Sequence, residues 1–104
     1  MERFFKVGWT APIDHTLLKD GVAFDATGLT EPTLIMVDIA TGQPVTHGGT
    51  VTWATLTASK VRFTPGPNTF DRPRRYRVSY RQPEAVGQSF FPNEEDEYWT
   101  VKPL

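Results

Sequence analysis

Residues 74–82 read "RRYRVSYRQ", and this stretch decides what kind of sheet the protein forms. Successive side chains of a strand point to opposite faces. The alternation places Arg75, Arg77, Ser79 and Arg81 on one face and Tyr76, Val78 and Tyr80 on the other. An RNA-binding sheet would instead display its aromatic residues beside its basic ones on the exposed face. The stretch therefore predicts a strand with a buried aromatic side and a charged side in water.

Short strands joined by turns are expected along the rest of the chain. Nine prolines and eight glycines punctuate runs rich in Thr, Val, Ile and aromatic residues, and no window has an apolar stripe at helical spacing. A chain of 104 residues is long enough for one domain. We expect an all-β antiparallel sandwich in a single domain, residues 1–104, with strands at 3–7, 14–19, 33–39, 50–56, 60–64, 75–82, 88–91 and 97–102.

Alternation within these strands predicts their faces and the core. In 60–64, Val61 and Phe63 alternate with Lys60 and Arg62, and in 97–102, Trp99 and Val101 alternate with Tyr98, Thr100 and Lys102. Residues 33–39 have the pattern of a half-buried strand, with an apolar face of Ile35, Val37 and Ile39 and with Asp38 on the opposite face. A phase shift after Trp53 predicts a bulge or an early end of that strand. The expected core, in contact across two sheets, consists of Trp53, Phe63, Tyr76, Val78 and Trp99.

Composition argues against several classes of function. The chain has no cysteine, hence no disulfides or thiolate chemistry, and its two histidines are few for a zinc site. Its net charge of -1 argues against a dedicated nucleic-acid binder. No apolar run reaches the roughly 20 residues of a membrane span, and "MERFFKVGW" at the start lacks the features of a signal peptide. We expect synthesis in the cytoplasm and no cofactor, metal, nucleic acid, membrane or small-molecule substrate.

Candidate catalytic and metal-binding groups are sparse. His15 lies beside Asp14, but the sequence has no nucleophile elbow, phosphate loop or paired His-Glu motif, so His15 is interpreted as a surface residue and the protein as a non-enzyme. The acidic run Glu94-Glu95-Asp96-Glu97 lacks the ligand spacing and the glycine of a calcium loop. It is expected to form a solvated acidic loop.

The three tryptophans are expected to differ in role. Trp53 and Trp99 keep phase with apolar neighbours and are assigned to the core. Trp9 follows Gly8 in a predicted loop, where it is expected to be exposed at an interface.

The order of turns and strands carries a family resemblance. Early in the chain come "DGVAFDATG" at 20–28 and a strand that ends in "DIATG" at 38–42. Later come "RYRVSY" at 75–80 and a close with "FP" at 91–92 and "YWTVKP" at 98–103. This order resembles the small immunoglobulin-like module at the N-terminus of tailed-phage baseplate upper proteins, which also occurs as a free-standing virion protein. The sequence departs from that pattern at "DRPRRYRV" (71–78), where the family commonly has a glycine in the turn.

The resemblance spans nearly the whole chain and implies an immunoglobulin-like sandwich of about seven or eight strands. It also implies a non-enzymatic structural protein of the phage virion, a stand-alone tail, baseplate or neck adaptor or attachment component that acts through protein–protein contacts. Two alternatives stay open. One is a carbohydrate-binding sandwich that contacts the host surface through a platform of Trp9, Tyr98 and the other tryptophans. The other is a small immunoglobulin-like hydrolase inhibitor that presents the proline-rich loop 64–73.

The distribution of charge indicates where a partner would bind. Five of the eleven basic residues lie between 72 and 81, and four of the twelve acidic residues lie between 94 and 97. A basic strip on one subunit that faces an acidic strip on the next makes a contact that closes into a ring if the rotation permits. Expected partners are other virion proteins or further copies in a homo-oligomeric or ring-like assembly; the alternative is a solvated face without a partner. The predicted contact residues are Arg75, Arg77, Arg81, Glu94, Glu95, Asp96 and Trp9.

Overall fold

The computed structural model describes residues 2–19, 21–84, 87–91 and 97–104. The described residues form eleven strands and one short 3-10 helix, Leu56–Ala58. The strands are β1 Glu2–Lys6, β2 Ile13–Thr16, β3 Leu18–Lys19, β4 Val22–Ala23, β5 Thr33–Asp38, β6 Gln43–Pro44, β7 Thr50–Thr55, β8 Lys60–Thr64, β9 Arg74–Glu84, β10 Gly87–Phe91 and β11 Glu97–Lys102.

Two sheets pack into a β-sandwich. The large sheet has the order β1-β11-β9-β5-β6, with β10 also paired to β9, and the small sheet has the order β2-β8-β7. Strand β1 runs parallel to β11, and the other strand pairs are antiparallel. With β2, β5, β7, β8, β9 and β11 taken as strands B to G, the sheets have the B-E-D and C-F-G orders of the immunoglobulin fold. The fold class predicted from the sequence is confirmed.

Trp99 lies at the centre of the core. It is 1% exposed and packs against aromatic rings from three other segments, with centroid distances of 5.5 Å to Phe5, 5.8 Å to Phe63 and 6.0 Å to Phe70. Four of the five predicted core residues are buried, namely Phe63, Tyr76, Val78 and Trp99. Trp53 is only partly buried, and its indole N–H donates to the Leu29 carbonyl at 3.2 Å.

The predicted strands correspond closely to observed ones, with one local interruption. The predicted strand 14–19 is interrupted at Leu17, whose side chain is fully buried. The Leu17 amide donates to the Ser59 carbonyl at 3.0 Å, and the Ser59 hydroxyl donates to the Leu17 carbonyl at 2.7 Å. The register of β7 shifts between Trp53 and Thr55, as the change of phase predicted. The predicted strand 14–19 therefore covers both β2 and the two-residue strand β3, whereas β4 and β6 were not predicted, because two residues carry no readable alternation.

The prediction for the faces of β5 was wrong. Leu34, Met36 and Asp38 point into the core, while the predicted apolar face lies outward. Pairing with β9 explains the inversion, because these three inward residues stand opposite Tyr80, Val78 and Tyr76 respectively. Burial of the Asp38 carboxylate is possible because Arg74 lies 2.9 Å from it and the Ala40 amide donates to it at 2.9 Å. Ile35, Val37 and Ile39 therefore share the outer face of the large sheet with Arg75 and Arg77 of β9.

Candidate partner-binding face of the large sheet

The outer face of the large sheet brings together part of the predicted contact set. Its central row runs from Val37 on β5 through Arg77 on β9 to Tyr98 on β11, because these residues are direct cross-strand partners. The next row pairs Arg75 with Thr100. Arg75 and Arg77 are both exposed, as the alternation in 74–82 predicted. We call the surface made by Ile35, Val37, Ile39, Arg75, Arg77 and Tyr98 the outer face.

Arg75 is held flat along the outer face by two neighbours. Its guanidinium carbon lies 4.2 Å from the centre of the Tyr98 ring, within range of a cation–π contact. Its Nη2 lies 3.3 Å from a carboxylate oxygen of Glu2. Each interaction at an exposed site is worth about 1 kcal/mol or less. Together they fix the orientation of the side chain and neutralise its charge.

Arg77 differs from Arg75 in having no such partner. The described residues offer its guanidinium neither an ion pair nor a hydrogen bond. The side chain is exposed, and its strand neighbours Val37 and Tyr98 flank it. Its positive charge is therefore available to a group from another molecule.

Apolar side chains form the other half of the outer face. Ile35 and Val37 are half-buried, and Ile39 is 43% exposed. At the edge of the same sheet Phe4 is 58% exposed, with the Lys102 ammonium 4.5 Å from its ring centre. Aliphatic, aromatic and arginine side chains occur together in protein–protein interfaces, where arginine and aromatic residues are enriched.

A groove lies in the outer face. Its volume is about 260 Å³, and its walls are Val37, Ile39, Gly42, Arg75, Arg77 and Tyr98. Gly42 closes one side in the turn between β5 and β6, where its amide donates to the Asp38 carbonyl at 2.7 Å. The turn needs φ of +71° at this position, which glycine adopts without strain.

The remaining predicted contact residues do not join this groove. Arg81 is half-buried, and its Nε is buried with no hydrogen-bond partner among the residues that the structure describes. Trp9 is 41% exposed, as predicted, but it packs edge-on against Phe5, which faces the core. Its indole N–H donates to the Ala11 carbonyl at 3.0 Å. Glu94, Glu95 and Asp96 lie outside the described residues.

The prediction that Glu97 belongs to a solvated acidic loop was wrong. Glu97 begins β11, faces inward and is 5% exposed. Arg3 compensates its charge, with Nε at 3.2 Å from Oε1, and the Trp99 indole donates to the same oxygen at 3.3 Å. The signal was present in the sequence, because Glu97 has the parity of Trp99 and Val101.

Arg3 also links the two sheets. Its Nη1 donates to the Asp14 carbonyl at 2.9 Å, and its Nη2 donates to Nδ1 of His15 at 3.4 Å. Since Arg3 belongs to β1 of the large sheet and the other two residues to β2 of the small one, one guanidinium closes the edge of the sandwich. We call Arg3, His15, Tyr80 and Glu97 the edge cluster.

The interpretation of His15 as a surface residue was also wrong. Its ring is partly buried and stacks on Tyr80 at 5.9 Å, while the neighbouring Asp14 points outward to a bidentate pair with Arg62 at 2.8 and 3.1 Å. Burial lowers the pKa of His15, and nearby Glu97 opposes that shift. Burial likewise raises the pKa of Tyr80, whose hydroxyl has no partner within the described part of the chain. The shared parity of Ile13 and His15 would have indicated the inward orientation.

Structural contacts hold the edge cluster together. Arg3 occupies Nδ1 of His15, so that nitrogen is not available to take a proton from a hydroxyl. In residues 2–19, 21–84, 87–91 and 97–104, no three His, Cys, Asp or Glu residues come together in a way that could hold a metal ion. The same residues contain no helix long and apolar enough to cross a membrane.

The structure bears on the two alternative binding surfaces, the aromatic platform for a sugar and the loop 64–73. Tyr98 carries the Arg75 guanidinium over its ring and Trp99 is buried, which leaves Trp9 as the most exposed tryptophan for a sugar. The loop 64–73 is anchored from inside by Phe70, which stacks on Phe5 at 5.1 Å, and by Thr69, whose hydroxyl donates to the His47 carbonyl.

Comparison with known proteins assigns no family: no protein-family model matches the chain, and no curated protein matches it.

Proposed function

We propose that this protein is a non-enzymatic structural component of a phage particle, in the tail, baseplate or neck, and that it binds a neighbouring virion protein through the outer face. The resemblance to the baseplate module supports the virion role. The observation that carries the binding role is the exposed Arg77 guanidinium between Val37 and Tyr98, for which the described part of the chain supplies no ion pair or hydrogen bond.

The chemistry of the outer face supports protein contacts over other roles. Ile39 is 43% exposed although it lines the groove together with Val37 and the Tyr98 ring. Burial of such a residue against a partner contributes roughly 25 cal/mol for each Å² removed from water. Arginine and tyrosine at the same place give orientation and hydrogen bonding, the combination found in interface hot spots.

The partner carries the opposite charge in this proposal. It is a virion protein or a further copy of this chain, and the acidic sequence Glu94-Glu95-Asp96 is one source of carboxylates in a second copy. A basic strip against an acidic strip is a heterologous contact, which generates a ring when the rotation closes. Complementary charge of this kind also sets the register and speeds the encounter.

Incorporation into particles tests the proposal. The variant Arg77→Glu reverses the charge at the centre of the outer face, and Arg72→Glu makes the same change at an exposed arginine outside the strands. We expect mass spectrometry of purified particles to find the wild type and Arg72→Glu and to lose Arg77→Glu, with equal thermal melts for all three. Absence of the wild type from particles, or normal incorporation of Arg77→Glu, would contradict it.

A further inference from the structure

The groove in the outer face has the size of a side-chain site. Its volume of about 260 Å³ lies below the roughly 300–1,000 Å³ of pockets that enclose cofactors and drug-sized ligands. Val37, Ile39 and the Tyr98 ring give it an apolar lining beside the two guanidinium groups. It therefore suits one or two side chains of a partner better than a free small molecule.

The charges around the groove select the kind of anion. Glu2 and the Tyr98 ring already engage Arg75, which leaves Arg77 as the lining cation without a partner among the described residues. A nucleic-acid backbone gains its affinity from many phosphate contacts at once. One available guanidinium, beside an Arg75 that is already paired with Glu2, fits a single carboxylate and disfavours a polyanion.

We infer that the groove binds a turn or loop segment of a partner protein in which one Glu or Asp side chain and the aliphatic side chain next to it face the same way. The carboxylate pairs with Arg77, and the aliphatic group packs on Val37, Ile39 and the exposed part of Tyr98. This inference rests on the proposed function in one respect, namely that the partner is a protein. It adds the chemistry that the outer face recognises.

The geometry of the sheet explains why both groups are needed. Arg77 stands in direct cross-strand register with Val37, so a carboxylate at the guanidinium brings the next group of its chain over the aliphatic row. Neighbouring strand residues lie about 5 Å apart across a sheet, which is the reach of adjacent side chains. An exposed ion pair alone contributes about 1 kcal/mol or less, so the apolar contact supplies the rest of the affinity.

A peptide titration followed by NMR tests this inference on the isolated protein. The probes are the blocked tripeptide Leu-Glu-Leu and its uncharged match Leu-Gln-Leu, each added to wild type, Arg77→Gln and the control Arg72→Gln. We expect Leu-Glu-Leu to shift the Arg77 Nε–H, the Val37 and Ile39 methyls and the Tyr98 ring in a saturable way, with a dissociation constant of roughly 1 mM. We expect Leu-Gln-Leu to bind about fivefold more weakly, as one exposed ion pair dictates.

The variants test whether Arg77 is the source of this preference for the charged peptide. Arg77→Gln is expected to bind the two peptides equally, and Arg72→Gln is expected to keep the fivefold preference. A preference that persists in Arg77→Gln would overturn the inference, and so would shifts that map away from the groove. Stronger shifts of the same signals by a single-stranded oligonucleotide would overturn it in favour of a nucleic-acid site.

The titration separates the failure of this inference from the failure of the proposed function. It needs no virion protein, so selective binding of Leu-Glu-Leu by a protein that is absent from particles would leave the groove chemistry standing and remove the virion role. Conversely, loss of Arg77→Glu from particles together with no binding of either peptide would keep the outer face as an interface and overturn the acidic side-chain site.

Discussion

Arg3 and Glu97 form the ion pair that closes the edge of the sandwich, with Nε of Arg3 at 3.2 Å from Oε1 of Glu97. The carboxylate is nearly buried, and removal of its cation leaves a charge without compensation. We expect Arg3→Ala to lower the free energy of unfolding by about 2–4 kcal/mol, somewhat less than for a fully buried pair because the arginine keeps some contact with water. Urea unfolding measures the loss.

The exposed pair between Asp14 and Arg62 is the matched control for that experiment. Its two side chains make a bidentate contact at 2.8 and 3.1 Å, but both are in water. Arg62→Ala is therefore expected to cost about 1 kcal/mol or less. Equal losses in the two variants would show that the edge cluster is not buried as described.

The aromatic core gives a second prediction. Trp99→Ala removes the ring that joins Phe5, Phe63 and Phe70, and we expect a loss of about 3–5 kcal/mol, a large part of the stability of a domain of this size. Arg77→Ala changes an exposed side chain and is expected to cost less than about 0.5 kcal/mol. Denaturant melts of both variants compare the two faces of the sheet, and a larger loss at Arg77 would contradict the inward and outward assignment.

The histidines predict a loss of stability toward acid. Burial lowers the pKa of both His15 and His47 below the ordinary value of 6.5, so the native state holds these rings neutral where the unfolded chain already takes up protons. The unfolded state then binds more protons, and the free energy of unfolding falls as the pH drops below about 6.5 and levels off once the native rings also titrate. Above about pH 6.5, neither histidine makes the free energy of unfolding depend on pH.

Unfolding curves between pH 7 and pH 5 measure this effect, and His15→Gln separates the two rings. The variant is expected to reduce the slope and keep the part due to His47. Arg62 lowers the pKa of Asp14 by a hydrogen bond, but carboxylates titrate near pH 4 and act in a lower window. A stability that rises on acidification from pH 7 to pH 5 would show that Glu97 outweighs burial and Arg3 at His15.

The charge on the outer face predicts a salt dependence for any association that uses it. Exposed charges are screened over about 8 Å at physiological ionic strength. We expect association with the partner to weaken between 50 and 500 mM salt, on the order of several-fold, and to lose most of that dependence in Arg77→Gln. Light scattering or sedimentation over the salt series measures it; binding that strengthens with salt would indicate a contact dominated by apolar groups.

The sequence predicted the architecture well where alternation was unambiguous, and it failed where a charged residue faced inward. In 74–82 the parity of arginines and tyrosines assigned both faces of β9 correctly. In β5 both faces are apolar, so the position of Asp38 was the only visible discriminator, and it misled because Arg74 compensates its charge from another strand. Glu97 misled in the same way, since its partner Arg3 lies at the other end of the chain.

The candidate site was partly predictable for a related reason. Arg75 and Arg77 could be assigned to a wet face from parity alone, but the apolar half of the outer face followed only from the pairing of β5 with β9. The difference between a neutralised Arg75 and an available Arg77 depends on Glu2, which is 73 residues away along the chain. Long-range pairing of this kind leaves no trace in local spacing.

The parallel pairing of β1 with β11 has a practical consequence for handling the protein. Glu2 stands beside Tyr98 at one end of the pair, and Lys6 stands beside Lys102 at the other. The chain therefore enters β1 at one end of this strand pair and leaves β11 at the opposite end. An affinity tag or a surface linker added before Glu2 would emerge next to the groove and compete with whatever binds there. A linker attached after Leu104, which is 90% exposed, would leave the groove accessible for immobilised binding assays.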